Sequence, residues 1–230
     1  MKILAIETAT EACSAAILMD GRCLERYRLA PREHNRLILP MIDELLAEAG
    51  ISVSQLDAIA FGRGPGSFTG VRIATGVAQG IALGADLPVI PLSTLAALAL
   101  DAMDREKTGY VYACIDARMN EVYWGVYGRE GKGDELRLVG EEAVTSAQKV
   151  RVPTGLSGVG AGSGWGTYRE ILSERVGKGL NMVIADRFPR AAAMARLAAV
   201  DYRKGRAVSP EQALPVYLRN NVANKPAAQT

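Results

Sequence analysis

Runs of three strand-like segments occur twice along the chain, and this repeated order restricts the fold more than any other feature. Near the start, short apolar or alternating runs at residues 2–8, 13–19 and 23–29 predict three antiparallel strands. A second set of three begins at residue 110, directly after the charged residues 104–107. We therefore predict two units built in the same order.

Helices and strands alternate after the first three strands. The expected elements are a helix over 35–49, a strand over 56–61, a glycine-rich turn at 62–70 that opens a helix to 83, a strand over 87–90, and a helix that Ser93 caps. Strands that alternate with helices after a meander predict a mixed sheet with helices on both faces.

The second half repeats this order less clearly. Its expected elements are strands over 110–116, 121–127 and 136–139, a loop over 140–164, and helices over 165–176 and 189–204. We predict an α/β protein of two ribonuclease-H-like lobes, the architecture of the actin-like ATPases (ASKHA), each lobe a mixed sheet flanked by helices and the second lobe degenerate. The predicted divisions are 1–106, 107–219, and a disordered tail at 220–230; the helix over 189–204 is a candidate to pack back on the first lobe.

Composition excludes several function classes. The 230 residues carry 27 Lys and Arg against 25 Asp and Glu, so the chain lacks the basic excess of a protein that binds nucleic acid without a partner.

The cysteines and the single histidine limit the possible sites further. Cys13, Cys23 and Cys114 are scattered, which predicts small buried side chains in a reducing compartment. No apolar run reaches the roughly 18 residues of a membrane span, and we expect a cytoplasmic protein. The single histidine, His34, excludes a His-rich metal site and is expected to be a polar residue at a helix start.

The loop at 62–70 has four glycines and one proline in nine residues, and it ends at a helix N-terminus. Free N–H groups at such an end can hold a phosphate or carboxylate. The Lys-Ser/Thr of a P-loop is absent, so triphosphate binding is not indicated there. The favoured interpretation is a tight turn that presents a contact surface.

The helix that follows is rich in small residues. Each glycine inside a helix costs about 0.5–1 kcal/mol relative to alanine, so several of them indicate that another backbone packs very close. Together with the apolar helix over 35–49, this favours a helix bundle between two chains; close packing within the lobe is the alternative. The small residues are Gly70, Ala74, Gly76, Ala78 and Gly80.

Two acids, Glu7 and Asp116, end the first predicted strand of each half. In a duplicated actin-like fold, acids at these places face each other across a cleft and hold a metal-bound nucleotide. The turn after Glu7 has Thr8 but no glycine to admit phosphates, so nucleotide binding is the weaker hypothesis. The other interpretation is that both acids bond to nearby loops.

The glycine-rich segment 155–166 has a superficial similarity to a dinucleotide-binding fingerprint. Its glycine spacing does not satisfy G-x-G-x-x-G, and no clear strand leads into it. We expect a flexible loop before a helix.

Five short motifs follow one another along the chain: residues 6–10 (IETAT), 34–40 (HNRLILP), 64–73 (GPGSFTGVRI), 116–123 (DARMNEVY) and 215–219 (PVYLR). The block at 64–73 is the most specific of them. In the same order, these motifs resemble those of the TsaB (YeaZ) family of the TsaD-related, actin-like superfamily.

This resemblance implies a role in making threonylcarbamoyladenosine beside the anticodon of ANN-decoding tRNAs. In that pathway the catalytic paralogue TsaD transfers the group, TsaE is a further ATPase partner, and the TsaB subunit is non-catalytic. The resemblance implies a heterodimer with TsaD through the first two helices and contact with tRNA through the complex. Without its partner such an apolar face should pair with itself, so we expect a homodimer in isolation. The expected interface residues are Leu37, Met41, Leu45, Phe68, Arg72, Ala74, Gly76 and Gly80.

TsaD-like proteins carry a metal-binding His pair after the fifth strand, where this sequence has Thr94 and Leu98. Neither side chain replaces an imidazole, so no metal centre and no intrinsic cofactor are expected. The alternative function is an ATP-hydrolysing enzyme that binds ATP or ADP with magnesium weakly through Glu7, Thr8 and Asp116, in the cleft or at the heterodimer seam. A stand-alone RNA-binding module is a third hypothesis, which the near-neutral charge disfavours.

Overall fold

The first half of the chain forms one mixed sheet with helices on both faces. The computed structural model describes residues 1–131 and 133–219. The elements of this half are β1 (Lys2–Glu7), β2 (Ala12–Met19), β3 (Arg22–Leu29), α1 (His34–Ala49), β4 (Ala58–Gly64), α2 (Phe68–Ala85), β5 (Val89–Ser93) and α3 (Thr94–Glu106). The strand order in the sheet is β3-β2-β1-β4-β5; β1, β4 and β5 are parallel, while β2 is antiparallel to both of its neighbours.

The second half forms a sheet with an equivalent strand order. Its order is β8-β7-β6-β10-β11, in which β6 takes the place of β1, and the short β9 also pairs with β7. As in the first sheet, an antiparallel meander extends to one side of the first strand and two parallel strands extend to the other. The prediction of two mixed sheets flanked by helices is confirmed. The elements are β6 (Tyr110–Arg118), β7 (Glu121–Arg129), β8 (Leu136–Leu138), β9 (Ala143–Thr145), β10 (Gly158–Ala161), α4 (Ser163–Thr167), α5 (Arg169–Val176), β11 (Leu180–Ile184) and α6 (Ala191–Arg203).

The glycine-rich segment 155–166 is not the flexible loop that the sequence predicts. Its middle forms β10, which is buried between β6 and β11. Glycine is required at position 160 because a Cβ there would lie 2.5 Å from Cε2 of Trp165. The Trp165 ring is fully buried, and its Nε1 donates to the carbonyl of Tyr112 at 2.8 Å. A strand with glycine in place of side chains shows no hydrophobic alternation, and for this reason the pattern missed it.

Gly160→Ala is expected to destabilise the fold by about 1–3 kcal/mol, because the added methyl overpacks the strand against Trp165. Urea unfolding followed by circular dichroism measures this change. Gly109→Ala is the matched control, since a Cβ at that exposed position meets no described residue within 4 Å and should change stability little. Equal unfolding midpoints for the two variants would contradict the packing described here.

Two helix layers cover the first sheet. Helices α1 and α2 pack on one face, over side chains that include Leu4, Ile6 and Phe61. Helices α3 and α6 cover the other face, where Met194 of α6 belongs to the same buried cluster as Ile3. The side chains of α3 also pack against the second sheet, so this helix lies between the two sheets.

Two predictions about single residues can be compared with the structure. Ser93 caps α3 as predicted, because its Oγ accepts hydrogen bonds from the N–H groups of Leu95 and Ala96. Cys13 and Cys114 are buried, whereas Cys23 is exposed on the edge strand β3, contrary to expectation.

No helix of the described part of the chain is both long enough and apolar enough to cross a bilayer. The division at 106/107 stays a prediction, and the predicted tail at 220–230 lies outside the described residues.

Candidate partner-binding surface

The outer face of α2 is almost free of charge. Arg72 is the only charged residue between positions 68 and 85, and the inner face, which includes Ala74 and Ala78, is fully buried against the sheet. Three glycines lie on the outer side, and a Cβ built on any of them meets nothing within 4 Å among the described residues. Packing within the lobe therefore does not require these glycines, although each one weakens the helix. They are Gly76, Gly80 and Gly84.

Three of the eight expected interface residues belong instead to the core. Leu45 and Ala74 are fully buried, and Met41 is nearly so; all three pack in the cluster between the helix layer and the sheet. The helical spacing predicted the apolar stripe of α1 correctly, but that stripe faces this chain's own sheet. The residues that remain at the surface are Leu37, which is half-buried, and Phe68, Arg72, Gly76 and Gly80.

Phe68 and Arg72 form an exposed cluster with Tyr217, a residue that the sequence argument did not select. The Phe68 and Tyr217 ring centroids are 5.7 Å apart, and the Arg72 guanidinium lies 3.5 Å above the Phe68 ring. Arg72 Nε also donates to the Tyr217 hydroxyl at 2.9 Å. Phe68 and Tyr217 remain 54% and 42% exposed, so the cluster lies at the surface and includes the one charged residue of α2. The motif at 215–219 was the signal that pointed to Tyr217.

The glycine-rich loop before α2 packs on the turn between β1 and β2. Thr8 Oγ1 donates to the Gly70 carbonyl at 2.6 Å, and the Ser67 N–H donates to the Ala9 carbonyl at 2.7 Å. A Cβ at position 70 would collide with the Thr8 carbonyl oxygen, so glycine is required there. Ser67 caps the helix by accepting from the Gly70 N–H at 3.4 Å. The N–H groups of Ser67 and Gly70 are therefore already bonded within the chain, as in a tight turn, and are not free to bind an anion.

Glu7 is enclosed rather than open to a cleft. Its carboxylate is fully buried and accepts hydrogen bonds from the Ala9 N–H at 2.6 Å and from Thr94 Oγ1 at 3.1 Å. Burial raises the pKa of the Glu7 carboxyl to about 7, although these hydrogen bonds oppose the shift.

The two other residues of the expected nucleotide cleft do not lie open together either. Thr8 is fully buried, with its hydroxyl bonded to Gly70. Asp116 is partly exposed, and its carboxylate accepts from the Arg118 N–H at 2.8 Å. The expectation that Glu7 and Thr8 line an accessible nucleotide cleft is therefore corrected. Asp116 instead bonds to its own loop, which was the alternative interpretation.

Comparison with known proteins decides the family. The family model described as TsaD, tRNA N6-adenosine threonylcarbamoyltransferase, matches residues 28–227. The tRNA threonylcarbamoyladenosine biosynthesis protein TsaB of Escherichia coli is 44% identical, over 98% of this chain and 97% of its own length. The chain belongs to the TsaB family. The TsaB of Haemophilus influenzae is 40% identical over 98% of this chain and 96% of its own.

A solved structure agrees with this assignment. YeaZ from Pseudomonas aeruginosa is 47% identical and superposes with a TM-score of 0.88, covering 94% of this chain and 99% of its own. The resemblance to TsaB (YeaZ) inferred from five short motifs is thus confirmed over nearly the whole chain. In this chain Thr94, where TsaD-like proteins are expected to carry a histidine, bonds to Glu7, and Leu98 is fully buried.

Proposed function

We propose that this chain acts in tRNA threonylcarbamoyladenosine biosynthesis, the process for which its TsaB relatives are named, as a non-catalytic subunit that pairs with TsaD. The observation that carries the pairing is the outer face of α2, on which Arg72 is the one charged residue. On it Gly76 and Gly80 lie open, without a neighbour among the described residues. TsaE and tRNA would join through the complex, since a net charge of +2 gives this chain little attraction of its own for phosphates.

The relationship between this chain and TsaD favours TsaD as the partner for this surface. A TsaD family model matches residues 28–227, which include both α1 and α2, so TsaD is expected to present an equivalent pair of helices. Helices normally pack 8–10 Å apart, and glycines at the contact allow a closer approach. Two such helix pairs would form a bundle across the interface. The same face would pair with itself when TsaD is absent, giving a homodimer.

Enclosure of Glu7 supports the non-catalytic role. A carboxylate that is fully buried and bonded to Thr94 does not reach a metal-bound nucleotide without rearrangement. The experiment that tests the role is reconstitution from this chain, TsaD, TsaE, tRNA and threonylcarbamoyl-adenylate, with modified tRNA as the readout. We expect product only when TsaD and this chain are both present. Modification by this chain alone, or by TsaD equally well without it, would contradict the proposal.

Gly80→Ala is expected to have opposite effects on stability and pairing. Alanine should stabilise the isolated chain by about 0.5–1 kcal/mol, because glycine weakens a helix interior and the alanine Cβ would meet nothing within 4 Å in the part of the chain that the structure describes. The same methyl should hold the partner helix away and weaken TsaD binding about tenfold. Urea unfolding and titration calorimetry measure the two effects. A stabilised variant with unchanged affinity would place Gly80 outside the interface.

A further inference from the structure

A cavity of about 210 Å³ lies at the seam between the two lobes. The ends of β4 and β5 form one side of it, and β7, β8 and the last turns of α6 form the others. It is separate from the outer face of α2. Its volume equals that of about seven waters at about 30 Å³ each, which suits a ligand of about eight non-hydrogen atoms. The charged residues that line it are Arg63, Asp134, Glu135, Glu142, Asp201 and Arg206.

Most of these charges are already paired. Arg206 donates to Asp201 at 2.8 Å, Asp134 pairs with Arg196, and Glu135 pairs with Lys204. Two lining groups of opposite sign remain, one on each lobe. They are Arg63 at the end of β4 and Glu142 in the segment between β8 and β9.

Arg63 is the unusual group. Within residues 1–131 and 133–219 it has no ion-pair partner, and its Nε is buried without a hydrogen bond. Buried polar atoms in native proteins nearly always have a partner, and an exception calls for an explanation such as a missing ligand. A guanidinium is also the side chain best suited to hold a carboxylate through two parallel hydrogen bonds.

Glu142 is held in place by its neighbours. Ser93 Oγ and the buried Tyr127 hydroxyl both contact its Oε1. In the described part of the chain Oε2 accepts no hydrogen bond, so this oxygen is available to a cation. Glu142 would repel a ligand that carries only a negative charge. A ligand that carries only a positive charge would leave Arg63 without a partner.

We propose that this cavity binds a small zwitterion of the α-amino-acid class, with its carboxylate on Arg63 and its ammonium on Glu142. Such a molecule has the right size, and it gives both Arg63 and Glu142 a partner of opposite charge that they lack within residues 1–131 and 133–219. The site goes beyond the pairing with TsaD and does not depend on it. An affinity of about 1 mM is reasonable for a ligand of this size.

Titration calorimetry of the full chain with L-threonine and glycine tests the site, with acetate and L-threonine methyl ester as probes that lack one of the two charges. We expect both amino acids to bind and the two singly charged probes to bind at least tenfold more weakly. Acetate binding as tightly as glycine, or no heat from either amino acid at tens of millimolar, would overturn the proposal.

Variants locate the two contacts. Arg63→Gln and Glu142→Gln should each weaken threonine binding at least tenfold, since each removes one charge-assisted contact. Glu142→Gln keeps an oxygen that accepts from Ser93 and Tyr127, and thermal unfolding checks that both variants remain folded. Arg137→Gln, on β8 outside the cavity lining, is the control and should bind as wild type does. Unchanged affinity in folded Arg63→Gln would also overturn the proposal.

Discussion

Gly76→Arg is expected to abolish pairing with TsaD and to leave the fold of this chain intact. In the isolated chain a Cβ at position 76 meets nothing within 4 Å among residues 1–131 and 133–219, so the fold should accept a side chain there. At a close helix contact the same side chain would hold the backbones apart and bury an unpaired charge. We expect an affinity loss of at least a hundredfold, or about 3 kcal/mol. Titration of TsaD with each protein measures it.

Gly109→Arg is the matched control for this substitution. It places the same charged side chain at another open glycine, in the turn between α3 and β6, away from α2. Thermal unfolding should show that both variants remain folded, and the control should bind TsaD as wild type does. If Gly76→Arg binds TsaD as tightly as the control, the outer face of α2 is not the interface.

Glu7→Gln is expected to stabilise the chain at alkaline pH by about 3 kcal/mol relative to wild type. The folded protein holds the Glu7 proton up to about pH 7, whereas the unfolded chain releases it near pH 4.5. The favourable contribution of the neutral carboxyl is therefore complete below pH 4.5 and is lost as the pH rises to 7. Glutamine keeps an oxygen for the Ala9 N–H and never ionises, so the variant does not lose this contribution.

Urea unfolding of both proteins between pH 4 and pH 8.5 measures the effect. The difference in unfolding free energy between variant and wild type should grow with pH up to about pH 7 and then level off. Other titrating groups cancel in this difference. Glu174→Gln, at an exposed position on α5, is the control and should give a small difference at every pH. A pH-independent difference for Glu7→Gln would mean that Glu7 is not enclosed as described.

Most strands of the first half, and the first three of the second, were predictable because they carry their own pattern. The apolar run of β1 and the alternation in β3 are visible in ten residues or fewer, and their repetition after residue 110 indicated two related lobes. The strand β10 was not predictable in this way. Its central residue is a glycine that makes room for Trp165, so its burial depends on a partner that follows it in the chain.

Functional positions were harder to predict because they depend on which way a helix faces. The spacing of α1 and α2 marked Leu45 and Ala74 as apolar, but an interface stripe and a core stripe have the same period. The open glycines distinguish the two faces, and this distinction appears only when neighbours are placed around them. Glu7 raises a similar difficulty, because a carboxylate at a strand end is equally consistent with a cleft and with an enclosed turn.

Contacts between residues far apart in the chain could not be predicted from the sequence pattern. Tyr217 meets Phe68 across about 150 residues, and Arg63 and Glu142 line one cavity from different lobes. No local spacing connects such pairs. Only the motif at 215–219 drew attention to one of them.

Light-scattering chromatography of this chain alone and then mixed with its cognate TsaD tests the central claim most directly. We predict a homodimer in isolation that converts to a one-to-one heterodimer, because both species use the outer face of α2. Gly76→Arg should be monomeric under both conditions. A wild-type chain that stays monomeric and ignores TsaD would contradict the account.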